Sequence, residues 1–365
     1  GPIDGAAADA RTAGAFRLDG AADPPLHVDP TSPDRGTGAV ADYLAARMGV
    51  DPARLHVDPI GGGATGALLF KVKLGDADVG VFKLFPDADD ALIEMQILDL
   101  LDNAGLDRFH AVGNRTDQPV PVDGGGSGML MDAAQGGSVA SRIQHLSSDP
   151  VVREPQLREL ERNMQQVAEA MAELHTASGG GQQMDPAARA SDAGYVRGKL
   201  TNPDTQGRLG PDADDIVAAF DAQVVQFMAD PVPRGAYHGD ANAGNFMIDG
   251  DGVDVSDVGT MQWSLDRTVP GLVGNRTGIA DVARFRESLE TLAPGALHPD
   301  ELAHLRATFD DAYAAATGVD PGHIRAARRI YAVEAPLAVL RYNTARDPAI
   351  DRRVVANIKA ILGLS

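Results

Sequence analysis

Short runs rich in apolar and β-branched residues punctuate the first third of the chain. Leu68-Leu69-Phe70-Lys71-Val72-Lys73-Leu74 and Val79-Gly80-Val81-Phe82-Lys83-Leu84-Phe85 flank the polar turn Gly75-Asp76-Ala77-Asp78. That pattern predicts two strands in a hairpin. A short strand is predicted at His56–Ile60 and another at Gly128–Met131. Helical spacing replaces it at Val40–Met48, stopped by Gly49, and at Ala88–Asn103, stopped by Gly105. From Gln156 onward helical patterns dominate, interrupted by a Gly/Pro/Asp-rich stretch at 178–213 and by a compact strand-loop-strand region at 236–259. Further helices are expected over Gly278–Thr291, Pro299–Thr317, Pro321–Tyr342 and from Ile350. Strands first and helices later describe an α+β chain rather than an alternating parallel sheet. The expected division is a flexible arm at 1–36, a small β-rich lobe at 37–131 and a larger, mostly helical lobe at 132–365.

Composition narrows the function classes. With 52 acidic against 32 basic residues, the net charge is −20 at pH 7, which disfavours nucleic acid and anionic membranes as partners. No cysteine is present, so disulfides, thiolate metal sites and cysteine nucleophiles are excluded. No apolar run reaches the roughly 18 residues of a membrane helix. The first residues lack the basic start and apolar stretch of a secretory signal, so a cytoplasmic location is expected. Gly1-Pro2 reads as what a protease leaves behind, and the natural N-terminus is expected to lie elsewhere. The histidines outside the motifs lack metal-ligand spacing, and no serine has a G-x-S-x-G context.

Three groups of residues carry chemistry. Gly61-Gly62-Gly63-Ala64-Thr65-Gly66 fits G-x-G-x-x-G but lies between two strands, so it is neither the start of a dinucleotide-binding helix nor a P-loop. Without side chains at Gly61, Gly63 and Gly66, backbone amides of this loop, with Ala64 and Thr65, can approach phosphate oxygens. Lys83 stands in an apolar strand and needs a counter-charge. Glu94 on the following helix, among Leu92, Ile93 and Met95, is the preferred partner, while Asp87, Asp89 and Asp90 in the connecting turn compete. Finally, Tyr237-His238-Gly239-Asp240 is followed by Asn245 and then by Asp257-Val258-Gly259. A carboxylate that orients a hydroxyl and receives its proton, with acidic and amide oxygens for Mg²⁺, is what phosphoryl transfer requires. Asp240 suits the first task, and Asn245 with Asp257 the second. Each residue alone is also an ordinary turn former.

In this order the motifs resemble a kinase: glycine loop, strand lysine, helix glutamate, H-G-D with a later Asn, and D-x-G. H-G-D in place of H-R-D resembles the aminoglycoside phosphotransferase and choline kinase group. Two further stretches share that likeness: Ala168–His175, a helix ending in Leu-His, and Gly278–Arg284, which carries Asp281 near a helix start. The likeness spans about residue 50 to the C-terminus, with departures at Ala241, Ala243 and Ser256. It implies a two-lobed protein kinase-like fold and the use of ATP and Mg²⁺. Adenine would meet the connector at Met131, Asp132 and Ala134, with the Asp132 carbonyl and Ala134 amide at its edge. The Lys83 ammonium, Asp240, Asn245 and Asp257 would share one phosphate pocket. The implied activity is transfer of the γ-phosphoryl of ATP to a hydroxyl of a small molecule. A protein or peptide acceptor and a nucleotide-binding pseudokinase are the alternatives. Asp212, Asp214, Asp215 and Asp221 would favour a cationic acceptor near the 180–235 segment.

Overall fold

A computed structural model describes residues 9–10, 12–20, 25–28, 36–62, 66–322 and 324–364. In chain order its strands are β1 (Leu18–Asp19), β2 (Leu55–Gly62), β3 (Leu68–Leu74), β4 (Ala77–Phe85), β5 (Phe109–Ala111), β6 (Thr116–Gln118), β7 (Val120–Val122), β8 (Gly126–Met131), β9 (Gly137–Ser138), β10 (Phe246–Asp249) and β11 (Gly252–Val255). The helices are α1 (Thr37–Met48), α2 (Asp90–Ala104), α3 (Val139–Gln144), α4 (Pro150–Gly179), α5 (Pro186–Leu200), α6 (Pro203–Leu209), α7 (Ala213–Ala229), α8 (Ile279–Thr291), α9 (Pro299–Thr317), α10 (Arg325–Ala332), α11 (Glu334–Tyr342) and α12 (Pro348–Leu362). Two compact units result: Gly1–Gly105 with Ala111–Gln135, and Leu106–His110 with Gly136–Ser365.

The first unit is built on an antiparallel sheet ordered β2-β3-β4-β8-β7. Register follows the apolar pattern, with Phe70 opposite Phe82 and Phe82 opposite Leu130. These three residues are fully buried, as are Val40 and Leu44 of α1. Burying one such side chain contributes roughly 2–3 kcal/mol. The hairpin turn is shorter than Gly75–Asp78, because β4 begins at Ala77 and Gly75 takes the left-handed φ of 59°. Within the 1–36 segment expected as an arm, the described parts are packed on the sheet unit. Leu18 pairs in parallel with Thr116, and Ala13, Leu18 and Leu26 are buried in the same core as Phe70. Scattered apolar residues without period found a sheet edge made by a distant segment.

The second unit is helical around a small sheet, β5-β11-β10-β9. An aromatic column runs through its core: Phe246 and Phe285 with ring centres 5.5 Å apart, then Phe285 and Phe309 at 4.8 Å, then Phe309 and Tyr313 at 6.5 Å. The stretch at 178–213, expected to interrupt the helices, contains α5 and α6. In each, a capping side chain followed by proline starts the helix, Asp185-Pro186 and Asn202-Pro203. By the same device α4 begins at Pro150, ahead of Gln156, after the cap Asp149. The single helix expected over Pro321–Tyr342 is two, divided at Val333. Pro336 lies in the first turn of α11, where its missing N–H and its ring are tolerated; a continuous helix would have to absorb both. The short strands β5, β6 and β7 escaped the sequence pattern because three residues carry no measurable period. Among the described residues no helix is long and apolar enough to cross a membrane.

Candidate active site

In the first unit, Lys83 on β4 and Glu94 on α2 form a buried ion pair, Nζ to Oε2 2.7 Å and Nζ to Oε1 3.0 Å. Lys83 is 4 % exposed and Glu94 1 %. The competing Asp87 and Asp89 face solvent. Both oxygens of the carboxylate meet the ammonium, and Nζ also sits 4.8 Å from the centre of the Phe85 ring. A cation fixed this way presents a defined positive charge to an anion. Nearby, Asp90 is raised above the ordinary carboxylate range by its own burial and by the charge of Asp87.

Gly61 lies in β2 opposite Leu69, and Gly66 has a φ of 84°. Gly63, Ala64 and Thr65 lie outside the described residues. Met131 closes β8, and the chain leaves the sheet at Asp132, whose N–H donates to the Gly113 carbonyl at 2.8 Å and whose carboxylate pairs with Arg115 Nε at 2.7 Å. Among the described residues no hydrogen bond reaches the Asp132 carbonyl or the Ala134 amide. They are the two groups that the kinase likeness assigns to an adenine edge.

In the second unit the hairpin β10–β11 brings together the residues that bracket it. Phe246 pairs with Val255, and the Ser256 N–H continues the ladder to the Asn245 carbonyl at 3.1 Å. Asn245 and Asp257 are therefore neighbours, although twelve positions separate them. Asn245 Nδ2 donates to the Asp240 carbonyl at 2.8 Å and to Asp240 Oδ2 at 3.2 Å. Because both partners are acceptors, the amide nitrogen must face Asp240, which leaves Asn245 Oδ1 without a protein donor among the described residues. Asp257 adopts the left-handed region at φ 61°, a conformation costing a non-glycine residue about 1–2 kcal/mol. An amide oxygen and a carboxylate on neighbouring segments of backbone are the types of a hard, oxygen-only donor set. Among the described residues no cluster of three or more His, Cys, Asp or Glu could hold a metal. Two protein oxygens completed by phosphate and water are the usual provision for Mg²⁺.

Asp240 is held by a relay that the sequence reading did not assemble. Asp281, 1 % exposed in the first turn of α8, accepts from the N–H of His238 at 2.6 Å and from that of Gly239 at 3.0 Å. His175, at the end of the long helix, donates Nε2–H to the same carboxylate at 3.1 Å and accepts from the Tyr313 hydroxyl at 2.9 Å. Burial alone would raise Asp281, but the hydrogen bond and charge of His175, the nearby His238 and the Gly239 amide hold it below its ordinary value. Burial, with the Asp281 charge adding to it, pushes the Tyr313 hydroxyl far up. His238 accepts from the Asp240 N–H at Nδ1 and donates Nε2–H to the Ser256 carbonyl at 2.8 Å. One ring thereby ties the Asp240 backbone to the segment carrying Asp257. Gly239 has φ 87°, and a Cβ there would lie 2.9 Å from Thr260 Oγ1. A Cβ on Gly278 would lie 2.1 Å from the His175 ring. Asp281 and His175 were each noticed at sequence level, but nothing in a linear pattern joins residues 106 positions apart.

A cleft of about 480 Å³ opens beside Gly239, between α5, α8 and the start of α11. Its charged lining comprises Asp192, Lys199, Arg276, Asp281, Arg284 and Glu334, with Tyr195, Tyr237, Trp263 and Tyr331 as its aromatic walls. Burial, with the charges of Asp192 and Asp281, raises the Tyr237 hydroxyl to about 12. Of the four aspartates expected to attract a cationic acceptor, none lines this cleft. Asp212 pairs with Lys359 and Asp221 with Arg197, while Asp214 and Asp215 are exposed in the first turn of α7. A wider cleft, about 990 Å³, lies along α4 and α9 but includes no residue of the 237–245 loop.

Residues 56–257, more than half of the chain, match the profile of the phosphotransferase enzyme family, APH. No curated protein sequence matches it significantly. Among solved structures the chain is similar to a glucosamine kinase in complex with glucosamine, ADP and inorganic phosphate, at 15% identity and a TM-score of 0.54, covering 90% of this chain and 83% of that one. It is also similar to a thermostable mutant of aminoglycoside phosphotransferase APH(4)-Ia in ternary complex with ADP and hygromycin B. There the identity is 13% and the TM-score 0.56, over 89% of this chain and 98% of the other. A choline kinase from Cryptosporidium parvum Iowa II aligns at 12% identity and a TM-score of 0.52, over 90% and 93%. These likenesses show the fold, a kinase-like one with a β-rich N-terminal sheet and a helical C-terminal part, as the order of motifs predicted.

Proposed function

The chain belongs to the phosphotransferase enzyme family, and from that premise we propose that it moves the γ-phosphoryl group of ATP to a hydroxyl of a small molecule bound beside Gly239. In this reading the acceptor oxygen bonds to the γ-phosphorus, the bond from that phosphorus to the β,γ-bridging oxygen breaks, and ADP leaves. The acceptor proton passes to the Asp240 carboxylate and then to water. Lys83, steadied by Glu94, would grip the phosphates. Residues 61–66 would cover them, and the segment 131–134 would meet the adenine. Asn245 Oδ1 and Asp257 would hold Mg²⁺, which supplies charge neutralisation on the phosphates when bound. Placement and electrostatics, not a covalent intermediate, would then lower the barrier.

The observation that supports this most strongly is the fixing of Asp240. Its peptide neighbours are clamped by Asp281, its N–H by His238, and its carboxylate by Asn245. Preorganisation of that kind is what a base that must meet one hydroxyl requires. A cleft of about 480 Å³ within one unit has the size of a small-molecule pocket, which supports a small acceptor over a protein one. The test is Asp240→Asn, assayed for ADP release, for phosphorylated product and for nucleotide binding. Transfer should drop by about 10²–10⁴-fold while ATP affinity stays within about threefold. Undiminished turnover in that variant would refute the role of Asp240.

A further inference from the structure

The charged groups around the cleft beside Gly239 are unusual for a chain of net charge −20. Three cations line it, Lys199, Arg276 and Arg284, and each of its carboxylates is already engaged. Asp281 is occupied by His175 and two backbone amides. Asp192 accepts from the Tyr331 hydroxyl at 2.7 Å and faces Arg276 at 3.3 Å. Glu334 takes Lys199 at 2.6 Å and Arg284 at 3.4 Å.

The donors, by contrast, are in excess. A guanidinium has five N–H groups in a planar fork. Among the described residues Arg284 spends one of them, on the 3.4 Å contact with Glu334. The Arg276 side chain makes, among the described residues, the long contacts to Asp192, at 3.3 Å, and to the Ala188 carbonyl, at 3.4 Å. Both side chains retain donors that an acidic oxygen can take in bidentate fashion. An ammonium entering the same space meets three cations and no carboxylate that is not already matched. Asp240, next in the chain to the lining residue Gly239, is reserved for the reacting hydroxyl. The rim is aromatic: Trp263 is 67% exposed and Tyr195 62%. The Lys199 ammonium lies 4.0 Å from the centre of the Tyr195 ring. Flat, amphipathic faces of this sort suit the C–H face of a polyol ring.

We propose that the acceptor is a polyol carrying an acidic group, held by Arg284, Arg276 and Lys199 and stacked on Trp263, and not an aminosugar or a polyamine. The inference rests on the phosphotransfer reading above and specifies its substrate. The reaction balances as before: the acceptor O–H gives its proton to Asp240, the new O–P bond forms, and ADP departs with the electron pair of the broken bond. The acidic group of the acceptor takes no part in bond making and serves only for recognition.

The full chain should be assayed with ATP and Mg²⁺ against gluconate and glucuronate, glucose 6-phosphate, glucose, glucosamine and kanamycin, with product identified by mass. An acidic compound should exceed its neutral counterpart by about 10–100-fold in kcat/KM, the worth of a charged hydrogen bond. The sugar acids and the sugar phosphate tell carboxylate recognition from phosphate recognition. In Arg284→Gln the ratio of acidic to neutral kcat/KM should collapse toward one, and Lys199→Met should shift it in the same direction, so that one misfolded variant does not void the test. Preference for glucosamine or kanamycin overturns the inference and leaves phosphotransfer standing. So does an enzyme that binds ATP but neither phosphorylates nor binds, by calorimetry, any acidic member. A chain that fails to bind ATP at all brings down both.

Discussion

Asp281 accepts the Gly239 N–H at 3.0 Å, one residue ahead of Asp240. The carboxylate lies in the first turn of α8, and through it the loop bearing Asp240 is secured to the helical core. Its other contacts, to His238 N–H and to His175, both fall on the second carboxylate oxygen, Oδ2. A buried carboxylate held by three donors thus fixes the loop that carries Asp240.

Replacing Asp281 by Asn keeps the shape but turns an N–H group toward donors that need an acceptor. The expected cost is about 1–3 kcal/mol of stability, read from the urea midpoint. kcat should fall more than tenfold while the KM for ATP changes little, since the phosphate grip proposed for Lys83 is untouched. Equal losses in kcat and in ATP affinity would contradict a positioning role.

Gly278→Ala should act through the same relay from the other side. The new methyl would meet the His175 ring at 2.1 Å, forcing the imidazole away from Asp281. Overpacking of this kind costs about 1–3 kcal/mol. The variant should show the kinetic pattern of Asp281→Asn in steady-state assays, and wild-type behaviour would show that the ring tolerates displacement.

The pair Lys83–Glu94 is almost wholly buried. Lys83→Met removes the cation beside a buried glutamate and should destabilise the chain by about 3–5 kcal/mol. Adding Glu94→Leu should restore most of that loss in chemical denaturation without restoring phosphate transfer. Recovery of activity in the double variant would remove Lys83 from the mechanism.

Stability should depend on pH through Glu301. Hydrogen bonds from Arg153, with help from the His298 N–H, bring its carboxyl from 4.5 to about 2 despite its burial. The folded value lies below the unfolded one, so the contribution is complete above about pH 5 and is lost as pH falls toward about 2. Within that window the unfolded chain binds a proton that the folded chain does not. Glu301→Gln should lose roughly 2 kcal/mol at neutral pH, and its gap to wild type, followed by urea midpoints, should close on acidification. A gap constant down to about pH 3 would count against the ion pair.

Much of the local pairing was readable from the linear order of residues. Lys83 among apolar neighbours demanded a counter-ion, and the next helix offered Glu94 on its buried face, while Asp87 and Asp89 lay in a turn that remains in water. Asn245 and Asp257 meet because a tight hairpin joins them, which is local enough to be legible. Helix starts at Asp149-Pro150, Asp185-Pro186 and Asn202-Pro203 were also present as signals, and were obscured by the reputation of proline and glycine as breakers. The aspartates at 212–221 misled because an acidic run does not reveal which cations face it.

Periodicity and motif order, which depend on neighbours within about one turn or hairpin, were enough to determine the α+β class, the kinase-like order and the ions that must be paired. Tertiary structure alone decided that Leu18 and Leu26 join the core, that Asp281 and His175 lock the Asp240 loop, and that Lys199, Arg276 and Arg284 gather at one cleft. Those arrangements unite residues scores of positions apart, and burial with hydrogen-bond satisfaction, rather than any local preference, selects them.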